Sequence, residues 1–62
     1  MNNGIEFKDV KVGDLFILGD LMMRIENTPH GEANTVIMSG EQRGGLIYIY
    51  PSLTVRLIER RN

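Results

Sequence analysis

The chain has 62 residues, with seven Lys+Arg, eight Asp+Glu, one histidine, no cysteine and no tryptophan, for a formal net charge of −1. That length allows one domain, residues 1–62, and a chain this short buries only about 60% of its unfolded surface, so a lone core is marginal. Without cysteine there is no disulfide and no thiolate metal site, and a single histidine, His30, excludes a histidine-rich one; association with another subunit is the staple left open. The expectation is therefore no metal and no cofactor. Apolar runs such as Leu15–Leu18 fall far short of the ~20 residues of a membrane helix, so no membrane association is expected. Met1-Asn2-Asn3-Gly4 has neither a basic nor an apolar leader region. With no cysteine in use, this predicts a cytoplasmic protein. Charge is unevenly spread. Residues 1–32 hold six acids and three Lys/Arg, whereas residues 33–62 hold two acids and four arginines.

Glycines at 4, 13, 19, 31, 40, 44 and 45 punctuate short runs rich in Ile, Leu, Val, Phe, Tyr and Met, the pattern of short strands joined by turns. A single helical turn fits Phe7 to Val10. Val12-Gly13-Asp14 reads as a turn feeding a strand over residues 15–18, and Gly19-Asp20 as a tight reversal. In the second strand, residues 21–26, alternation puts Leu21, Met23 and Ile25 on one face and Met22, Arg24 and Glu26 on the other. Residues 27–34 stack turn formers and read as a loop. Residues 35–38 form a third strand, and residues 39–45 a polar, glycine-rich connection. Leu46-Ile47-Tyr48-Ile49-Tyr50 is the clearest strand, built of β-branched, aromatic and leucine residues. Pro51 interrupts it, a second helical turn fits Pro51 to Leu53, and residues 54–58 complete the set. Five short strands must close on themselves or leave edges exposed. The prediction is an all-β, five-stranded antiparallel barrel. Its expected core is Leu15, Ile17, Met23, Ile25, Val36, Met38, Ile47, Ile49, Val55 and Leu57, with Phe7 and Phe16 plugging one end or the outer seam.

Two resemblances add to this reading. Ile49-Tyr50-Pro51-Ser52-Leu53-Thr54-Val55 resembles the end of an SH3 domain, where an apolar-Pro-Ser step forms a short 3₁₀ turn before the last strand. The likeness covers about ten residues and implies an SH3-like barrel. The chain lacks tryptophan and the aromatic and acidic cluster of the SH3 peptide groove, so the resemblance does not extend to binding proline-rich peptides. Phe7-Lys8-Asp9-Val10-Lys11-Val12-Gly13-Asp14-Leu15-Phe16 resembles the F-x-x-V-x-V-G-D-x-F opening of many very short phage and prophage proteins. It covers the first third of the chain. Some phage proteins of this size block host defence enzymes or sequester their nucleotide signals.

If Ile47 and Ile49 point inward, Leu46, Tyr48 and Tyr50 share the opposite face. That face is an aromatic contact surface for a protein, a second subunit or bases, unless the strand is buried on both sides with its hydroxyls reaching water or a carbonyl. Met22, on the face away from Leu21, Met23 and Ile25, extends the same apolar patch or else is buried near a bend. Arg43, Arg56, Arg60 and Arg61, with Arg24, form either a basic stripe for phosphate or a solvated mixed-charge surface. His30-Gly31-Glu32 pairs an imidazole with a carboxylate, but no nucleophile motif or second histidine accompanies it, and a solvated loop is the simpler reading. Gly40-Glu41-Gln42-Arg43-Gly44-Gly45 is rich enough in glycine to present N–H groups to an anion, but lacks the spacing of a phosphate loop.

The expectation is a non-enzymatic interaction module, phage-type by resemblance, that binds and inhibits a host protein through the Tyr48/Tyr50 face and that self-associates into a homo-oligomer. The alternative is a small barrel that binds a nucleotide or nucleic acid through arginines and tyrosines. An enzyme needs a pocket of polar groups with shifted pKa, for which this chain has little room.

Overall fold

Gly19 reverses the chain between Leu18 and Asp20 at φ +77°, a left-handed conformation that a Cβ disfavours. The computed structural model describes residues 4–60. In chain order it has β1 (Gly4–Glu6), a 3₁₀ turn (Phe7–Asp9), β2 (Leu15–Leu18), β3 (Asp20–Arg24), β4 (Thr35–Ile37), β5 (Leu46–Ile47) and β6 (Thr54–Glu59). The strands form one antiparallel sheet in the order β1-β6-β2-β3-β4-β5.

The all-β expectation holds, and the five-stranded closed barrel does not. The sheet has six strands and stays open, with β1 and β5 as its edges. The extra strand, β1, has one apolar side chain and no alternation to announce it. It forms because β6 offers a pairing edge, with Ile5 opposite Val55. At the other edge β5 is only two residues long, because beyond Ile47 the chain leaves the β4 ladder and is held by a side chain instead.

The core lies on one face of this sheet. Phe7, Val10, Phe16, Met22, Ile37, Ile49 and Val55 are buried there, with Ile5, Leu18 and Ile47 packed against them. The Phe7 and Phe16 rings meet edge to face, 5.6 Å apart at 72°, a favoured aromatic geometry. They are the centre of the core rather than plugs at its margin. Ile49 and Val55 are buried as expected. Leu57 is half-buried opposite Phe16.

None of Leu15, Ile17, Met23, Ile25, Val36 and Met38 is fully buried. Phe16 stands opposite Met22, and Met22 opposite Ile37, whereas Leu15, Met23, Val36 and Leu46 are cross-strand partners in the neighbouring row. Direct partners share a face, so those rows occupy opposite faces and the expected inward set of β2, β3 and β4 is the outward one. A one-residue change of phase moves every side chain of a strand to the other side.

Candidate functional site

β5 and the segment after it carry the two most exposed large apolar groups, Tyr50 and Leu46. Leu46 is 57% exposed, Tyr48 44% and Tyr50 70%, while Ile49 between the tyrosines is buried. The two rings contact each other edge to face, 5.7 Å apart at 84°. The expected alternation of Leu46, Tyr48 and Tyr50 against Ile47 and Ile49 is thus the arrangement found.

A side chain fixes this segment in place. Asn34 Nδ2 donates to the Ile49 carbonyl at 3.0 Å, and Ile49 N–H donates to Asn34 Oδ1 at 2.9 Å. Thr35 Oγ1 donates to the same Oδ1 at 3.1 Å, and Asn34 N–H donates to the Ile47 carbonyl at 2.9 Å. Asn34 and Thr35 are both buried, where an unmade hydrogen bond is costly. Downstream, Leu53 N–H donates to Tyr50 O, Lys8 N–H to Pro51 O and Phe7 N–H to Leu53 O, at 2.8–3.1 Å. The backbone that presents the tyrosines is therefore anchored on both sides, which lowers the ordering cost of a contact made there. By sequence Asn34 falls in the loop of residues 27–34. Only the general tendency of asparagine to bond backbone groups pointed to it.

Met22 is not part of this surface. It is 6% exposed, in the core between Phe16 and Ile37. The outward neighbours on its strand are Leu21 and Met23, since the phase of β3 is opposite to the one alternation alone suggests.

Arg24 leaves the set of phosphate contacts for a related reason. It points to the core side, where Nη1 donates to the carbonyl of Phe7 at 3.2 Å and to that of Val10. Its guanidinium carbon lies 4.6 Å from the centre of the Phe7 ring. The guanidinium thus ties down the carbonyls of the 3₁₀ turn and covers an aromatic face. Arg43, Arg56 and Arg60 are exposed. Arg43 sits on the turn between β4 and β5, Arg56 on β6 and Arg60 just beyond it, and three strands separate β6 from β5 in the sheet. Arg61 lies outside the described residues.

His30 is exposed, and the Glu32 carboxylate accepts from Thr28 Oγ1 at 2.8 Å rather than meeting the imidazole. In the 40–45 turn, Arg43 N–H donates to Gly40 O, Gly44 N–H to Ile37 O and Gly45 N–H to Gln42 O, so these donors are turned inward and do not cradle an anion. Among the described residues no group of three or more His, Cys, Asp or Glu is placed to hold a metal ion, and no helix is long and apolar enough to cross a membrane. No family model matches the chain, and neither a curated protein nor a solved structure matches it.

Proposed function

We propose that this protein is a binding module whose contact surface is Leu46, Tyr48 and Tyr50. The observation that carries the reading is the exposed tyrosine pair on a backbone clamped by Asn34. Tyrosine is among the residue types that supply most of the energy at protein interfaces, and both rings here are exposed on a fixed backbone. The phage-type opening supports a host protein as the partner and inhibition as the outcome. The turn closed by Leu53 N–H on Tyr50 O, just before β6, supports relating the open sheet to SH3-like folds. The nucleotide reading is the weaker one, because the Arg24 guanidinium is engaged by the carbonyls of Phe7 and Val10 and the other arginines do not converge with it.

The test compares wild type with a Tyr48→Ala/Tyr50→Ala variant as paired baits, followed by reconstitution with the purified partner and calorimetry. The expected result is a protein held by wild type and bound at least tenfold more weakly by the folded variant, about 1.4 kcal/mol or more. Equal binding by the two would remove the tyrosine surface from the reading. Binding confined to oligonucleotides and falling steeply with salt would replace it with the nucleic-acid alternative.

A further inference from the structure

The sheet is open, and its two edges are built differently. The β1 edge carries charge, since Glu6 lies on it and pairs with Lys8 at 3.4 Å. Charged side chains are a usual means of keeping an edge from pairing with another chain. At the β5 edge, no charged residue occurs from Gly44 to Val55.

Hydrogen bonds fix which backbone groups the β5 edge presents. Val36 stands opposite Leu46, and the bond from Ile37 N–H to Gly45 O brackets this pair. It is therefore a non-hydrogen-bonded pair, with the N–H and C=O of Leu46 directed away from β4. Ile47 O accepts from Asn34 N–H, and Ile49 spends both of its backbone groups on the Asn34 side chain. Backbone groups alternate between the two sides of an extended chain, so those of Tyr48 also point away from β4. Among the described residues the N–H and C=O of Tyr48 have no partner. The edge thus offers a row of outward donors and acceptors at Leu46 and Tyr48, held in place by Asn34 and ended by the turn from Tyr50 to Leu53.

We infer that Leu46 to Tyr48 dock an extended segment of a partner protein as an added strand. The inference rests on the binding-module reading above and specifies how the partner is held. A row of donors and acceptors facing one way is matched by another strand. A helix cannot match it, because its own N–H and C=O groups are already bonded to each other. Side chains of the incoming segment that share the outward face lie beside Leu46, Tyr48 and Tyr50, which are exposed and uncharged, so the segment is apolar at alternate positions. In such a contact the main-chain bonds supply affinity and the side chains supply the choice of sequence.

The probe is a displayed library of random linear peptides, panned on the purified protein. Tyr48→Pro removes the outward N–H and leaves the inward bonds of Ile47 and Ile49 in place, a substitution that an edge position facing solvent accepts. Tyr48→Ala removes the same ring and keeps the N–H. Selected peptides are expected to bind Tyr48→Pro on the order of tenfold more weakly than Tyr48→Ala. Amide exchange on wild type gives a second reading, which decides if Tyr48→Pro does not fold. The N–H groups of Leu46 and Tyr48 are expected to exchange fast in the free protein, where that of Ile49 is slow, and to become protected when peptide is bound. A library that yields no retained peptide overturns the added strand. So do peptides that bind the two Tyr48 variants equally and leave both amides unprotected; if those peptides still lose binding to Tyr48→Ala/Tyr50→Ala, the tyrosine surface stands without the strand. Peptide binding that ignores Tyr48→Ala/Tyr50→Ala but is abolished by Tyr48→Pro supports the strand and removes the tyrosine side chains. A wild-type dimer that Tyr48→Pro dissociates gives the edge to a second copy and overturns a foreign strand.

Discussion

The Asn34 side chain pairs with Ile49 as a strand residue would, donating to its carbonyl and accepting from its N–H at 3.0 and 2.9 Å. The β4–β5 ladder ends at Ile47, yet the chain stays tied to the sheet for two more residues because a carboxamide carries a donor and an acceptor in nearly the geometry of a peptide group. The buried backbone of Ile49 is satisfied, and its neighbours Tyr48 and Tyr50 are turned outward. One amide thus closes the core beneath Ile49 and presents the surface above it.

Replacing Asn34 by Leu should cost about 2–4 kcal/mol, because it leaves the N–H and carbonyl of Ile49 buried without partners. Urea denaturation measures this. Asn34→Asp is the sharper test. The carboxylate keeps the acceptor for Ile49 N–H but sets negative charge against the Ile49 carbonyl, and burial adds to the penalty on the charged form. Its folded-state pKa should therefore rise above the ordinary ~3.9 of an aspartate. A raised folded pKa gives stability that is full below the unfolded value and lost as pH rises through the folded one. The deficit of Asn34→Asp relative to wild type should therefore shrink on acidification from pH 7. A constant deficit would mean the clamp is not the source of the effect.

Arg24 should behave as a structural residue. Its guanidinium bonds two carbonyls of the Phe7–Val10 segment and lies over the Phe7 ring. Arg24→Met should destabilise by about 2–3 kcal/mol, the scale of charge-assisted hydrogen bonds. Arg24→Lys should recover only part of that, because an ammonium cannot replace a planar fork lying on a ring. Thermal unfolding measures both. A substitution that left stability unchanged but reduced binding of oligonucleotides would return Arg24 to the set of phosphate contacts.

Adjacent methionines give the clearest test of which face is which. Met22 is buried among Phe16, Ile37 and the rest of the core, whereas Met23 is only half-buried on the opposite face. Met22→Ala should cost about 2–5 kcal/mol as a core cavity. Met23→Ala should cost about 1 kcal/mol or less when measured at concentrations too low for association. Comparable losses at the two positions would mean that the strand is buried on both faces.

That phase was not legible in the sequence, for a physical reason. Residues 15–18, 21–23 and 36–38 are apolar without interruption, so alternation offers no polar position to mark the outward face. The choice is made by volume and by long-range partners. Phe16 and Phe7 are the two largest core side chains, and placing them together commits Met22 and Ile37 to the same side. Where polar or aromatic residues do alternate, as in Ile47-Tyr48-Ile49-Tyr50, the facing was legible and so was the exposed tyrosine pair. Asn34 and Arg24 were not. Their partners lie 14 to 17 residues away in sequence, and a bond from a side chain to a distant backbone group leaves no local pattern to read.

Two glycines separate the cost of a backbone conformation from the cost of a contact. Gly19 at φ +77° and Gly40 at φ +84° share the left-handed region, but a Cβ on Gly19 meets nothing within 4 Å, whereas one on Gly40 falls 2.7 Å from Asp20 Oδ1 and 3.0 Å from Asp20 Cγ. Gly19→Ala should therefore lose about 1 kcal/mol, the left-handed penalty alone. Gly40→Ala should lose that much plus the cost of displacing the Asp20 carboxylate from beside the β4–β5 turn. Removing the obstruction with Asp20→Ala should bring Gly40→Ala down to the Gly19→Ala value, and the double-mutant cycle in urea isolates the difference. Equal losses at the two glycines, with no coupling to Asp20, would mean that the carboxylate does not pack against the Gly40 backbone in solution.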